Sequence, residues 1–168
     1  MTGLFSHAPQ EPDDETAGTA PLPARTAAVR VPVDAEHAFE GFTEYIHLWW
    51  PADRHSRLGA GSHFSLDRDG LQEENDAGEA HAWAELVRAE PPGLLELRLL
   101  HLHEQAPPSH LALRFVDAGG VDAGDAGTEV RLEHGGWAAG RAGEAQYAAS
   151  GYWSDVLDAY GRFMGSGR

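Results

Sequence analysis

Three histidines stand where an antiparallel sheet would bury apolar side chains. In residues 94–103, Leu95, Leu97, Leu99, His101 and His103 share one face of a strand, opposite Glu96 and Arg98. In residues 128–134, Val130, Leu132 and His134 share the face opposite Glu129, Arg131 and Glu133. His101 and His103 would stand about 6–7 Å apart along their strand. With His134 beside them they could line a pocket, polarise a carbonyl, or serve as acid and base near neutral pH. The competing expectation is hydrated or hydrogen-bonded histidines at the open end of the sheet. A zinc site would need a third ligand beside His101 and His103. The chain has no Cys and no His-x-x-x-His helix, so neither a metal nor any other cofactor is expected.

Composition removes other chemistries. Without cysteine there is no thiolate catalysis and no disulfide, in keeping with a cytoplasmic protein. All 12 basic residues are Arg, which excludes a Schiff-base lysine and a phosphate-loop lysine. The plain cause is GC-rich coding, which also accounts for the many Ala, Gly and Asp residues. A net charge of −15 without an Arg-rich cluster argues against nucleic-acid and anionic-membrane partners. No run of 18 apolar residues suggests a membrane span. Asp117, Asp122 and Asp125 lack the spacing of a calcium loop. Ser150-Gly151 follows no strand and so is not a nucleophile elbow. The Glu-rich stretch 73–79 has no evident acid/base partner.

The elements that must position the histidines follow from periodicity. Residues 1–23 are rich in Pro, Ala, Thr and acidic residues and read as a disordered tail. Residues 24–33 read as a strand ending near Pro32. Asp34 then sits at a helix N-cap, with Ala35, Ala38, Phe39 and Phe42 as an apolar stripe. Residues 45–50 form a second short helix, stopped before Pro51. Six strands joined by short turns follow as an antiparallel meander. Residues 144–164 read as one long helix whose Ala149, Trp153, Val156, Tyr160 and Phe163 face the sheet, with Tyr152 and Leu157 widening the stripe. Trp83 is not assigned to a face. Arg98 and Arg114 join Glu96 in outward ion pairs.

Three stretches then carry a family resemblance. Val31-Pro-Val-Asp-Ala-Glu-His-Ala-Phe39 resembles a first strand and its entry into a helix. Leu48-Trp49-Trp50 is similar to the Trp-Trp pair that follows. Thr128-Glu-Val-Arg-Leu-Glu-His-Gly-Gly-Trp137, with Gly151-Tyr152-Trp153-Ser-Asp-Val-Leu157, is similar to the closing strand and helix. In order and spacing they resemble the helix-grip SRPBCC, or START-like, superfamily that includes the birch-pollen allergen. Within it they look like the bacterial group similar to the C-terminal domain of the activator of heat-shock-protein-90 ATPase. The Pro before Asp34 and the acidic stretch 67–82 depart from that pattern.

The resemblance implies an α+β fold over residues 24–164, with 165–168 as a short tail. A curved antiparallel sheet of six to seven strands would wrap a long C-terminal helix, with two short helices after the first strand. It also implies a cavity between sheet and helix for an apolar or amphipathic small molecule. Candidate lining residues are Trp49, Trp50, Leu97, Leu99, His101, His103, Leu113, Phe115, His134, Trp153, Val156 and Tyr160. One alternative is a protein-interaction domain that modulates a chaperone ATPase or a regulator. The other is a cyclase- or hydrolase-like enzyme using the histidines.

Overall fold

The computed structural model describes residues 21–100, 106–119 and 127–167. In chain order these build β1 (Arg25–Val31), α1 (Ala35–Thr43), α2 (Ile46–Trp49), β2 (His63–Asp67), β3 (Gly70–Glu74), β4 (Ala80–Glu90), β5 (Leu94–Leu99), β6 (Ser109–Asp117), β7 (Thr128–Gly135), α3 (Gly140–Ala149) and α4 (Trp153–Phe163). The seven strands form one antiparallel sheet in the order β1-β7-β6-β5-β4-β3-β2. The meander from β2 to β7 is thus as expected, and β1 returns to the far edge beside β7. Arg25 there lies opposite His134, and Val31 opposite Thr128. The expected tail before residue 21, together with His101, His103, Asp122 and Asp125, lies outside the described residues.

Local signals set the boundaries. The Asp34 side chain accepts from the His37 amide at 2.9 Å, the expected N-cap. The His37 ring lies 2.8 Å from the same oxygen and takes the place that a capping-box Glu would fill. That bond and the nearby charge raise the imidazole pKa and lower that of Asp34. Trp50 turns out of α2 into an extended conformation before Pro51. At Gly70 φ is +121°, and a Cβ would collide with the Ala84 carbonyl. The β2–β3 hairpin can therefore lie close on β4 where the register slips between Leu71 and Gln72.

Parity assigns the faces correctly in the last three strands. Leu95, Leu97, Leu99, Leu111, Leu113, Phe115, Val130, Leu132 and His134 are all buried on the concave side. On the convex side Arg98 pairs with Glu85 rather than with Glu96. Arg114 stands opposite Arg131, which itself binds Glu129. The reason is register: β4 places Glu85 directly across from Arg98.

The C-terminal helix differs in one respect from expectation. It packs against the sheet, but it is interrupted at residues 150–152, between α3 and α4. Ser150 is buried, and its hydroxyl donates to the Tyr147 carbonyl at 2.9 Å and accepts from Arg25 at 3.0 Å. A serine satisfied locally in this way, next to glycine, favours leaving the helix. Arg25 also donates to the Tyr147 carbonyl and lies 3.9 Å over its ring, holding the break against β1. The packing stripe is consequently Trp153, Val156, Leu157 and Tyr160. Ala149 and Phe163, expected in it, are exposed because the break and the helix end turn them outward. Gly161 lets α4 approach β1, since a Cβ there would meet Val29 at 2.7 Å.

Candidate functional site

The interior between sheet and helix has two unlike ends. Beneath the C-terminal half of α4 it is filled by rings. Tyr160 packs on Phe42 and Trp49 at 5.2 Å each, and Phe115 packs on Phe39 at 5.1 Å and Phe42 at 5.9 Å. Leu113 and Tyr160 are wholly buried there, as is Val156 one turn earlier on α4. The polar atoms at this end bond to backbone: Tyr160 donates to the Ala38 carbonyl at 2.6 Å and Trp49 to the Gly41 carbonyl at 2.9 Å. Burial pushes the Tyr160 phenol pKa up. Each large side chain so buried contributes about 1.5–3 kcal/mol before entropy.

The other end holds buried polar groups. His134 and Ser109 lie inside, 0% and 1% exposed, on adjacent strands. The Trp153 indole donates to His134 Nδ1 at 2.8 Å, and Ser109 Oγ lies 2.8 Å from Nε2. An indole N–H can only donate, so Nδ1 must accept and Nε2 carries the proton. That proton points at the serine oxygen. The polarity is opposite to that of a nucleophile–base pair, in which the imidazole takes the serine proton. As arranged, His134 orients neighbours rather than activating Ser109.

A chain of rings runs from here across to β4 and α2. Trp153 meets Tyr152 at 4.7 Å, Tyr152 meets Trp83 at 6.3 Å, and Trp83 meets Trp50 at 5.4 Å. Tyr152 takes part because the helix break swings it toward β4, and burial raises its phenol pKa. His55 lies 5.3 Å from the Tyr152 ring and 2.7 Å from the Asp155 carboxylate. Bonds from His55 and Arg54 hold Asp155 below the ordinary carboxylate range.

The expected roster omitted Glu73. Its side chain is 0% exposed. It accepts from the amides of Arg57 at 2.9 Å and Leu58 at 2.8 Å and from the Trp83 indole at 2.7 Å. Burial pushes its pKa up, and these donors more than reverse that, so it stays ionised. Parity was the available signal, since Glu73 shares a face with the buried Leu71. It also stands directly opposite Phe64 of β2.

Of the expected site residues, the structure gathers Trp50, Leu99, His134 and Trp153 near the polar end. Trp49, Leu113, Phe115, Val156 and Tyr160 belong to the filled end, with Leu97 between. Open space on the surface lies elsewhere. A groove of about 800 Å³ runs outside α1, lined by Glu36, Glu40, Glu44, Tyr45, Pro91 and Pro92.

Curved antiparallel sheet, two short helices after the first strand and a C-terminal helical segment on the concave face together settle the architecture. The fold is a helix grip. Solved structures share this helix grip. A self-sacrificing resistance protein, CalC from Micromonospora echinospora, is 18% identical with a TM-score of 0.58, covering 84% of this chain and 94% of that one. An HSP90 activator from Plasmodium falciparum is 17% identical with a TM-score of 0.54, covering 86% and 97%. The protein XoxI from Bacillus cereus is 13% identical with a TM-score of 0.55, covering 85% and 96%. No protein-family description matches the sequence, and no curated protein matches it.

Proposed function

We propose that this domain binds one small apolar or amphipathic molecule at the polar end of its grip, between the sheet and the break that precedes α4. Leu97, Leu99 and Trp50 would offer apolar walls, and His134, Trp153 and Tyr152 would orient a polar group. Trp49, Leu113, Phe115, Val156 and Tyr160 would form the floor. The observation that carries the reading is the gathering of His134, Ser109 and Glu73, bonded through side chains, at one end, whereas the buried Thr128 at the far end of β7 bonds to the Val33 carbonyl. A core built only for stability has little use for fully buried polar groups gathered at one end, whereas ligand sites combine apolar walls with a few placed polar atoms. The place of action we assign is the cytoplasm. Among the described residues no helix is long and apolar enough to cross a membrane.

Native mass spectrometry and tryptophan fluorescence test this with palmitate and with the dye 1-anilinonaphthalene-8-sulfonate. A saturable 1:1 complex is expected, weakened by Trp153→Phe. No saturable complex with either probe would overturn the reading.

A second reading, a domain that modulates a chaperone ATPase or a regulator, draws on the groove outside α1 and on the exposed Tyr45 and Leu48 beside it. The HSP90-activator fold match supports it at the level of fold alone. A pull-down without a chaperone, with an unchanged ATPase rate on mixing, would remove it.

A further inference from the structure

Residues 51–58, between α2 and β2, bridge the two layers of the grip at the polar end. On the sheet side, the amides of Arg57 and Leu58 donate to the buried Glu73 carboxylate on β3. On the helix side, Arg54 donates to Asp155 Oδ1 at 2.5 Å, and the His55 ring lies 2.7 Å from Oδ2, in the first turn of α4. Between these clamps the segment is ordered by bonds of its own and by one from the buried Trp50 that precedes it. The amides of Arg54 and His55 donate to the Pro51 carbonyl, and the Trp50 indole donates to the His55 carbonyl at 2.7 Å.

The two clamps are unequal. Glu73 is shut away from solvent and bonded by backbone amides and an indole, so letting go of the amides would leave a buried ionised group short of two donors. Asp155 is 34% exposed, with Arg54 at 46% and His55 at 22%, so water can replace each partner as it leaves. Behind the helix-side clamp lies Tyr152, with Trp83 beyond it.

We propose that residues 51–58 are a strap that lets go of Asp155 while staying hinged on Glu73, and so gates the polar end of the interior. This rests on the ligand-binding reading above. Release separates His55 from Tyr152 and uncovers the ring chain without unfolding the sheet. Asp155 is then a positioning residue whose removal changes the rate of entry more than the final affinity.

The test is Asp155→Asn in the full chain, with Asp158→Asn on the same helix as control. Stopped-flow binding of 1-anilinonaphthalene-8-sulfonate should show association and dissociation both faster by about two- to fivefold, the scale of an exposed ion pair, with Kd unchanged. The control should match the wild type. Hydrogen exchange without ligand should accelerate at the His55 amide and spare Arg57 and Leu58. Unchanged exchange, or exchange lost equally at 55, 57 and 58, overturns the strap. Altered exchange at 55 alone with unchanged dye kinetics overturns the gating role and leaves ligand binding standing. Dye that binds neither wild type nor variant overturns the binding reading and the gate, and a selective change in exchange would still uphold the strap's motion.

Discussion

The filled and polar ends of the grip are built from similar aromatic residues, yet they solve different problems. At the filled end, Phe39, Phe42, Trp49, Phe115 and Tyr160 touch one another, and their few polar atoms bond to backbone. At the polar end the Trp50 indole also bonds to backbone, but two tryptophan N–H groups bond to side chains: Trp153 to His134 and Trp83 to Glu73. Backbone partners fix a packing unit in place. Side-chain partners make a network whose members depend on one another. The difference separates a region that specifies architecture from one that can recognise a molecule.

Substitutions can break this contrast. The largest effect belongs to the filled end: Tyr160→Ala should lower unfolding free energy by about 3–5 kcal/mol in urea titrations, because the ring cluster cannot close over the void. Tyr160→Phe should lose only about 1 kcal/mol, the single bond to Ala38. Next, Glu73→Gln should cost about 3 kcal/mol at neutral pH, since Trp83 and two amides face an altered acceptor. Its acid dependence has a definite sign. The folded carboxyl titrates below its ordinary value of 4.5, so its stabilisation is full above that value. The contribution is lost as pH falls through the lower folded value, and the deficit of the variant should shrink in acid.

At the centre of the polar network, His134→Leu alone should cost about 1–2 kcal/mol, because the Trp153 indole and the Ser109 hydroxyl lose their partner. Adding Trp153→Phe and Ser109→Ala should recover most of that, measured as a multiple-mutant cycle. Full additivity would dissolve the distinction between the two ends. The smallest effect lies outside both: Arg98→Ala should change stability by less than about 1 kcal/mol, since its pairing with Glu85 is exposed.

Most of the sheet was legible because parity is a strict rule: one residue of slip would have exposed Leu113 and Val130 together. The inward position of His134 followed from the same rule. The break at Ser150 was hidden because Ala149, Trp153 and Val156 keep helical spacing across it. Periodicity records the intervals between apolar residues and is blind to where their helix stops. Glu73 was hidden for the opposite reason, since a carboxylate in an acidic stretch reads as solvated. Its burial depends on donors from residues 57, 58 and 83, and no local pattern brings those together.

The pairing of β1 with β7 has a consequence for how the molecule is made. Arg25 waits for His134 before its strand has a neighbour, so the first strand synthesised is completed by the last. Until α4 follows, α1 covers only the Phe115 end of the concave face, and the leucines of β5 lack their main cover. Such distant pairing slows folding and keeps adhesive surface exposed while the ribosome is still working. A chain cut before Trp153 should keep the strands yet expose most of the concave leucines, and is expected to aggregate. Closure of the sheet and burial of its concave face therefore both wait on elements far along the chain from β1.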